Sequence, residues 1–157
     1  MKTILIATDF SPVARNAVNY GIDLAKSIGH SVTIVHVYQV PVAFADGPMV
    51  LVSLDDLRSS AEKQLDQLKS DLHHVHGNAF KVYTEAILGN VVEELQHVAD
   101  KLDPFAIVMG ATGLTGAQRV LFGSTTLFAI RKLTYPVIAV PEGKTFGHGI
   151  KKIGLAC

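Results

Sequence analysis

The apolar positions of this chain fall into two alternating patterns: short near-continuous runs, and longer stretches in which apolar residues recur every three or four positions. Lys2 to Thr8 (Lys-Thr-Ile-Leu-Ile-Ala-Thr) and Phe105 to Met109 (Phe-Ala-Ile-Val-Met) are uninterrupted runs, as expected of strands buried on both faces of a parallel sheet. Ser31 to Tyr38, with Val32, Ile34, Val35 and Val37, predicts another strand, with His36 near its carboxyl end as a packing residue rather than a catalytic base. Ala79 to Ile87 alternates Phe80, Val82 and Thr84 against Lys81, Tyr83 and Glu85, the pattern of a strand nearer a sheet edge, and Tyr135 to Val140, closed by Pro141, predicts the last. Between them lie four helical patterns. Ser11-Pro12 starts the first, Ala14, Ala17, Val18, Gly21, Leu24, Ala25 and Ile28 form its apolar face, and Gly29 ends it. Leu54, Leu57, Ala61, Leu65, Leu68, Leu72 and Val75 mark a long amphipathic helix stopped by Gly77-Asn78. Gly89-Asn90 opens a third through Val91, Val92, Leu95, Val98 and Leu102, and Phe128, Ile130 and Leu133 belong to the fourth. The connection from Gln39 to Ser53, broken by Pro41, Gly47 and Pro48, is long for a compact domain and predicts a lid or a binding segment.

Strict alternation of strand and helix implies an α/β fold: a mainly parallel sheet, doubly wound, with helices on both faces and right-handed crossovers. In such sheets ligands bind beyond the carboxyl ends of the strands, where the winding direction reverses. Asp9 follows the first strand, and a glycine-rich loop follows the fourth. If those two strands are neighbours, both face one cleft.

The glycine loop carries the most specific chemistry. Gly110, Gly113 and Gly116 open it, and Gly123 closes it just before Ser124 and Thr125. Glycines permit positive φ and a close approach of backbone to ligand. Ser124 or Thr125 is expected to cap the helix that follows, whose first N–H groups lack internal partners and carry the positive end of the helix dipole. The sum is an anion site suited to phosphate. The spacing Gly110-x2-Gly113-x9-Gly123-Ser124-Thr125 is not the Walker pattern, because no Lys precedes the Ser. Nor is it the dinucleotide fingerprint, which follows the first strand. Arg119 is the only cation within the loop and is read as solvated. His73, His74 and His76, near the end of the long helix, are read as solvent-facing rather than as a metal site.

Composition narrows the class. The chain has 157 residues, enough for one domain with a full core, and is 48% apolar and 18% charged. Fourteen basic residues balance fourteen acidic ones, which argues against nucleic acid as the main partner. No apolar run reaches the roughly 18 residues of a membrane span, and Met1-Lys2 leads directly into strand-like sequence. The single Cys, Cys157, is consistent with a cytoplasmic location.

The glycine motif, together with Ala7-Thr8-Asp9-Phe10-Ser11 at the end of the first strand, resembles the ATP-binding branch of the universal stress protein family over nearly all of residues 1–142. That resemblance implies a flavodoxin-like five-stranded sheet of order 3-2-1-4-5, ATP or another adenine nucleotide in the cleft, with or without Mg2+, and a homodimer joined through the last strand, Val137 to Val140. It implies that Asp9, with Ala7 and Thr8 beside it, is the adenosine-side carboxylate. Val37 would contact adenine through its backbone, and Met109 and Gly110 would lead into the loop. Gly113 and Gly123 match the phosphate and ribose turns, and Ser124 and Thr125 the hydroxyls on phosphate. The chain departs from the family where a Pro is frequent, at Gly89-Asn90, and carries Thr112 where a His or Arg often stands.

The implied function is a nucleotide-dependent switch in a stress or regulatory response. With no Walker lysine and no general base beside the loop, hydrolysis is slow at most. The alternatives are a weak ATPase assisted by Asp9 or Mg2+, and a dimerisation module that binds no nucleotide. Residues 143–157 read as a glycine-rich linker followed by Lys151-Lys152-Ile153-Gly154-Leu155-Ala156-Cys157. That segment repeats the pattern of residues 2–8 and predicts the first strand of a second copy, which could pair with the last strand in place of a homodimer partner.

Overall fold

The computed structural model describes residues 2–40, 53–77, 81–111, 122–147 and 149. The elements run in the order β1 (Thr3–Ala7), α1 (Pro12–Ile28), β2 (Ser31–Tyr38), α2 (Leu54–His76), β3 (Val82–Leu88), α3 (Val91–Leu102), β4 (Ala106–Ala111), α4 (Ser124–Lys132) and β5 (Val137–Pro141). The five strands form one parallel sheet in the order β3-β2-β1-β4-β5. This is the flavodoxin-like arrangement that the alternation and the resemblance imply, with β3 and β5 at the edges.

Successive side chains of a strand point to opposite faces, and the core divides accordingly. Ile4 and Ile6 of β1 pack with Val32, Ile34 and Val108 beneath α1 and α2. Leu5 packs with Val35, Ile107 and Met109 beneath α3 and α4. Because both faces are covered, β1 is apolar from Ile4 to Ala7 and β4 from Ala106 to Met109, which is why those runs are continuous in sequence. The chain winds outward from β1 to β3 with helices on one face, then returns across the sheet to β4 with helices on the other. The direction therefore reverses between β1 and β4, which pair at Ile4 with Ala106 and Ile6 with Val108.

Local signals act as the sequence predicts at several ends. Ser11 caps α1 by accepting the Ala14 amide, Pro12 occupies the first turn, and Gly29 ends the helix in the left-handed conformation at φ 67°. Asn90 caps α3, its Oδ1 accepting from Val92 and Glu93. Other boundaries move. β4 continues through Gly110 to Ala111, because Gly110 pairs with Val140 and Ala111 with Pro141. β3 starts at Val82, and the predicted residues 79 and 80 lie outside the described ones. Leu54 and Val75, expected on the apolar face of α2, are exposed, and its buried stripe is Ala61, Leu65, Leu68 and Leu72. Of the histidines read as solvent-facing, His74 is exposed while His73 and His76 are half-buried. The predicted long loop between α2 and β2 falls largely on residues 41–52, and the strand-like repeat on 151–157; both lie outside the described residues. No helix among the described residues is long and apolar enough to cross a membrane.

Candidate functional site

A cavity of about 400 Å³ opens at the carboxyl ends of the strands, where the winding reverses. Its volume is in the range of small-ligand sites. Four segments build it: the β1–α1 turn with the start of α1, the end of β2, the end of β4 with the start of α4, and Val91 at the start of α3.

The β1–α1 turn is tied by its own side chains. Thr8 Oγ1 accepts the Phe10 amide at 3.1 Å, Asp9 Oδ1 accepts the Ser11 amide at 3.0 Å, and Ser11 Oγ accepts the Ala14 amide at 3.2 Å. These bonds hold Phe10 at φ 63°, a conformation that costs a non-glycine residue roughly 1–2 kcal/mol. Asp9 is exposed, and one of its oxygens is committed to the turn while the carboxylate keeps further acceptor capacity. Thr8, by contrast, is buried, with its N–H on the Val35 carbonyl at 3.0 Å.

At the end of β2 the geometry follows from strand alternation. The Val32 N–H donates to Lys81 and the Tyr38 carbonyl accepts from Gly89, so the even residues bond toward β3. The odd residues bond toward β1, as Val35 does to Thr8. Val37 therefore directs its N–H and C=O toward β1, but the β1–β2 pairing ends at Ala7 with Val35. Those main-chain groups face the space beyond the strand, and Val37 lines the cavity.

The third segment depends on a close approach. A Cβ on Gly110 would lie 2.9 Å from Val13 Cγ1 and 3.1 Å from the Ala14 nitrogen, so only glycine lets the first turn of α1 sit against β4 here. Across the cleft, the cap of α4 is Gly123, with no side-chain hydrogen bond. Ser124 and Thr125 were the expected caps; they lie inside the helix, exposed, because the extended residue at the boundary is Gly123 (φ −62°, ψ 156°). Among the described residues the first amides of α4 thus meet no side-chain cap, and Gly123, Ser124 and Thr125 line the cavity. Thr126, buried in the same turn, anchors the helix by donating Oγ1–H to the Gly110 carbonyl at 2.9 Å.

Of the residues singled out in the sequence, Ala7, Thr8, Asp9, Val37, Met109, Gly110, Gly123, Ser124 and Thr125 line this one cavity. Gly113 lies outside the described residues. Sequence reasoning missed Ser11, Val13, Ala14, Val35, Val91 and Thr126 as lining residues. Val35 and Val91 read there only as apolar positions of a strand and a helix, and no local signal separates a cavity wall from core. Val35, Val37, Val91 and Met109 offer apolar wall suited to a flat base. Among the described lining residues Asp9 is the one charged group, so an anionic end would be held by main-chain N–H and hydroxyl donors. No group of three or more His, Cys, Asp or Glu among the described residues could hold a metal ion.

Comparison with known proteins agrees with the fold. The model of the universal stress protein family matches residues 1–141. Universal stress protein MJ0531 of Methanocaldococcus jannaschii is 31% identical over 146 residues, covering 91% of this chain and 84% of that protein. Two solved structures share the fold. The universal stress protein from Archaeoglobus fulgidus in complex with dAMP superposes with a TM-score of 0.64 at 21% identity, covering 89% of this chain and 98% of that one. A universal stress protein in complex with cAMP gives 0.67 at 19% identity, covering 90% and 98%.

Proposed function

The chain belongs to the universal stress protein family, and from that premise we propose that it is an adenine-nucleotide-binding module whose occupancy alters its conformation or its choice of partner. The observation that carries this reading is the make-up of the cavity. At the end of β2, main-chain groups of Val37 face it beside apolar wall, as a base requires. Elsewhere it is lined by the start of α4, where Gly123 makes no side-chain cap and Ser124 and Thr125 add hydroxyls, as phosphate requires. Asp9 would accept from a ribose hydroxyl or the adenine amino group, away from the phosphates, since a carboxylate repels them. Family members of the same fold in complex with dAMP and cAMP support the ligand class.

Within that class the loop motif resembles the ATP-binding branch, and ATP is the nucleotide we assign. Mg2+ would come with the triphosphate and keep most of its water, as this ion commonly does. Turnover is slow at most, because the described cavity walls hold no general base other than Asp9 and no Lys. The location this implies is cytoplasmic.

A homodimer through β5 belongs to the same proposal. β5 is an edge strand, Val137, Ile138 and Ala139 are only half-buried, and Leu127, Phe128 and Ile130 of the neighbouring α4 are exposed. Heat-denaturing freshly purified protein and identifying the released small molecule by mass spectrometry, followed by calorimetric titration with MgATP, tests the central claim. An adenine nucleotide in the supernatant or a measurable heat is the expected result. No passenger and no heat with any adenine nucleotide would leave the dimer as the function.

A further inference from the structure

His36, near the carboxyl end of β2, stands beside the cleft without lining it. Resting on the nucleotide reading, we propose that His36 is the positioning residue of the nucleoside end of the site, acting through Thr8 and Val37 rather than by touching the ligand.

His36 Nδ1 lies 2.8 Å from the Thr8 carbonyl oxygen. A carbonyl only accepts, so the proton of the neutral ring sits on Nδ1. The Thr8 N–H is held by the Val35 carbonyl at 3.0 Å. The end of β2 therefore grips Thr8 on both sides, once through its main chain and once through the imidazole. In a continued parallel ladder the partner of the Thr8 carbonyl would be the Val37 N–H, since the main-chain groups of Val35 and Val37 lie on the β1 side of the strand and the pairing itself ends at Val35. His36 takes that carbonyl instead. The substitution fixes the peptide that carries Asp9, and it leaves the Val37 amide to the cavity.

The ring is itself fixed from both sides. Its centroid lies 4.5 Å from that of Phe10, and Tyr38 stacks at 6.4 Å with an interplanar angle of 21°. Phe10 is the residue held at φ 63°, so the strained turn and the imidazole brace each other. His36 does not line the cavity. Its effect on a ligand passes through the Asp9 turn and the Val37 main chain.

Two variants and one spectrum test this. Asn presents its side-chain N–H near the position of Nδ1, whereas Phe keeps ring volume without a donor. By MgATP calorimetry His36→Phe is expected to bind about tenfold more weakly than wild type, the worth of one hydrogen bond, and His36→Asn within about threefold. Binding by His36→Phe within twofold of wild type, or an equal loss in both variants, would overturn the proposal. Long-range 15N spectra of the wild-type protein at neutral pH read the tautomer without any substitution: a proton on Nδ1 is expected, and one on Nε2 overturns it. Wild-type protein that binds no adenine nucleotide sinks the nucleotide reading itself, whatever the tautomer.

Discussion

Gly110 and Val13 approach so closely that a single added methyl would lie 2.9 Å from Val13 Cγ1, with the Ala14 nitrogen at 3.1 Å on the same side. The backbone of α1 cannot swing away as a side chain would. Gly110→Ala is therefore expected to displace the first turn of α1 from β4 and to cost about 1–3 kcal/mol. Urea denaturation measures the loss. Because Gly110 lines the cavity, nucleotide affinity should fall with it; an alanine variant as stable as wild type would show that the turn can move.

Asp9 performs two tasks that substitutions separate. Its Oδ1 accepts the Ser11 amide at 3.0 Å, and its charge is assigned to the nucleoside. Asp9→Asn preserves the turn acceptor, so it should denature like wild type yet bind ATP more weakly. Asp9→Ala removes both functions, and a loss of about ten- to a hundredfold in affinity is expected for a charge-assisted hydrogen bond. Calorimetry on the pair reads this directly, and unchanged affinity in Asp9→Ala would remove Asp9 from the site.

The two kinds of helix start predict opposite behaviour. Ser11→Ala and Asn90→Ala each delete a cap that is made, at a cost of about 1 kcal/mol apiece. Ser124→Ala deletes no cap, since Gly123 holds that position without a side-chain bond. It should leave stability within a few tenths of a kcal/mol and weaken ATP binding. Parallel thermal melts and titrations distinguish the cases.

Thr126→Val removes the hydroxyl that donates to the Gly110 carbonyl at 2.9 Å in a buried setting. The shape is kept and the donor lost, for an expected cost of about 1–2 kcal/mol. Chemical denaturation at neutral pH checks it.

His76 sets a pH dependence far from the cleft. Its burial, and then the neighbouring Lys26 ammonium, hold its pKa below the ordinary histidine value, with Asp23 acting in the opposite direction. Lys26 Nζ lies 2.9 Å from Nδ1, joining the ends of α1 and α2. The folded state thus resists a proton that the unfolded chain accepts. Stability is full above the ordinary histidine range, near pH 6.5, and declines as pH falls below it toward the depressed folded value. His76→Gln should show a shallower decline between pH 7.5 and 5.5 in thermal melts, and an equal slope would assign the pH dependence to other groups.

Much of this protein is legible along the chain because its signals are local. Ile4 to Ile6 and Ile107 to Met109 are apolar without interruption, since helices cover both faces of the sheet. Ser11 and Asn90 accept from amides, and the Gly29 N–H donates to carbonyls, all within a few residues of themselves. Such patterns determined the element order, the fold class and the two segments, 7–9 and 123–125, that meet at the cleft. The residues that complete the cleft are another matter. Whether Val91 is core or cavity wall, that β4 runs on through Gly110, that Gly123 rather than Ser124 or Thr125 takes the cap position of α4, and that His36 reaches Thr8 were decided only by the tertiary structure. Each depends on strand register and on contacts between residues far apart in sequence, His36 and Thr8 being 28 apart and Thr126 and Gly110 16 apart. A local pattern records which face of an element is buried; it does not record which distant group stands opposite.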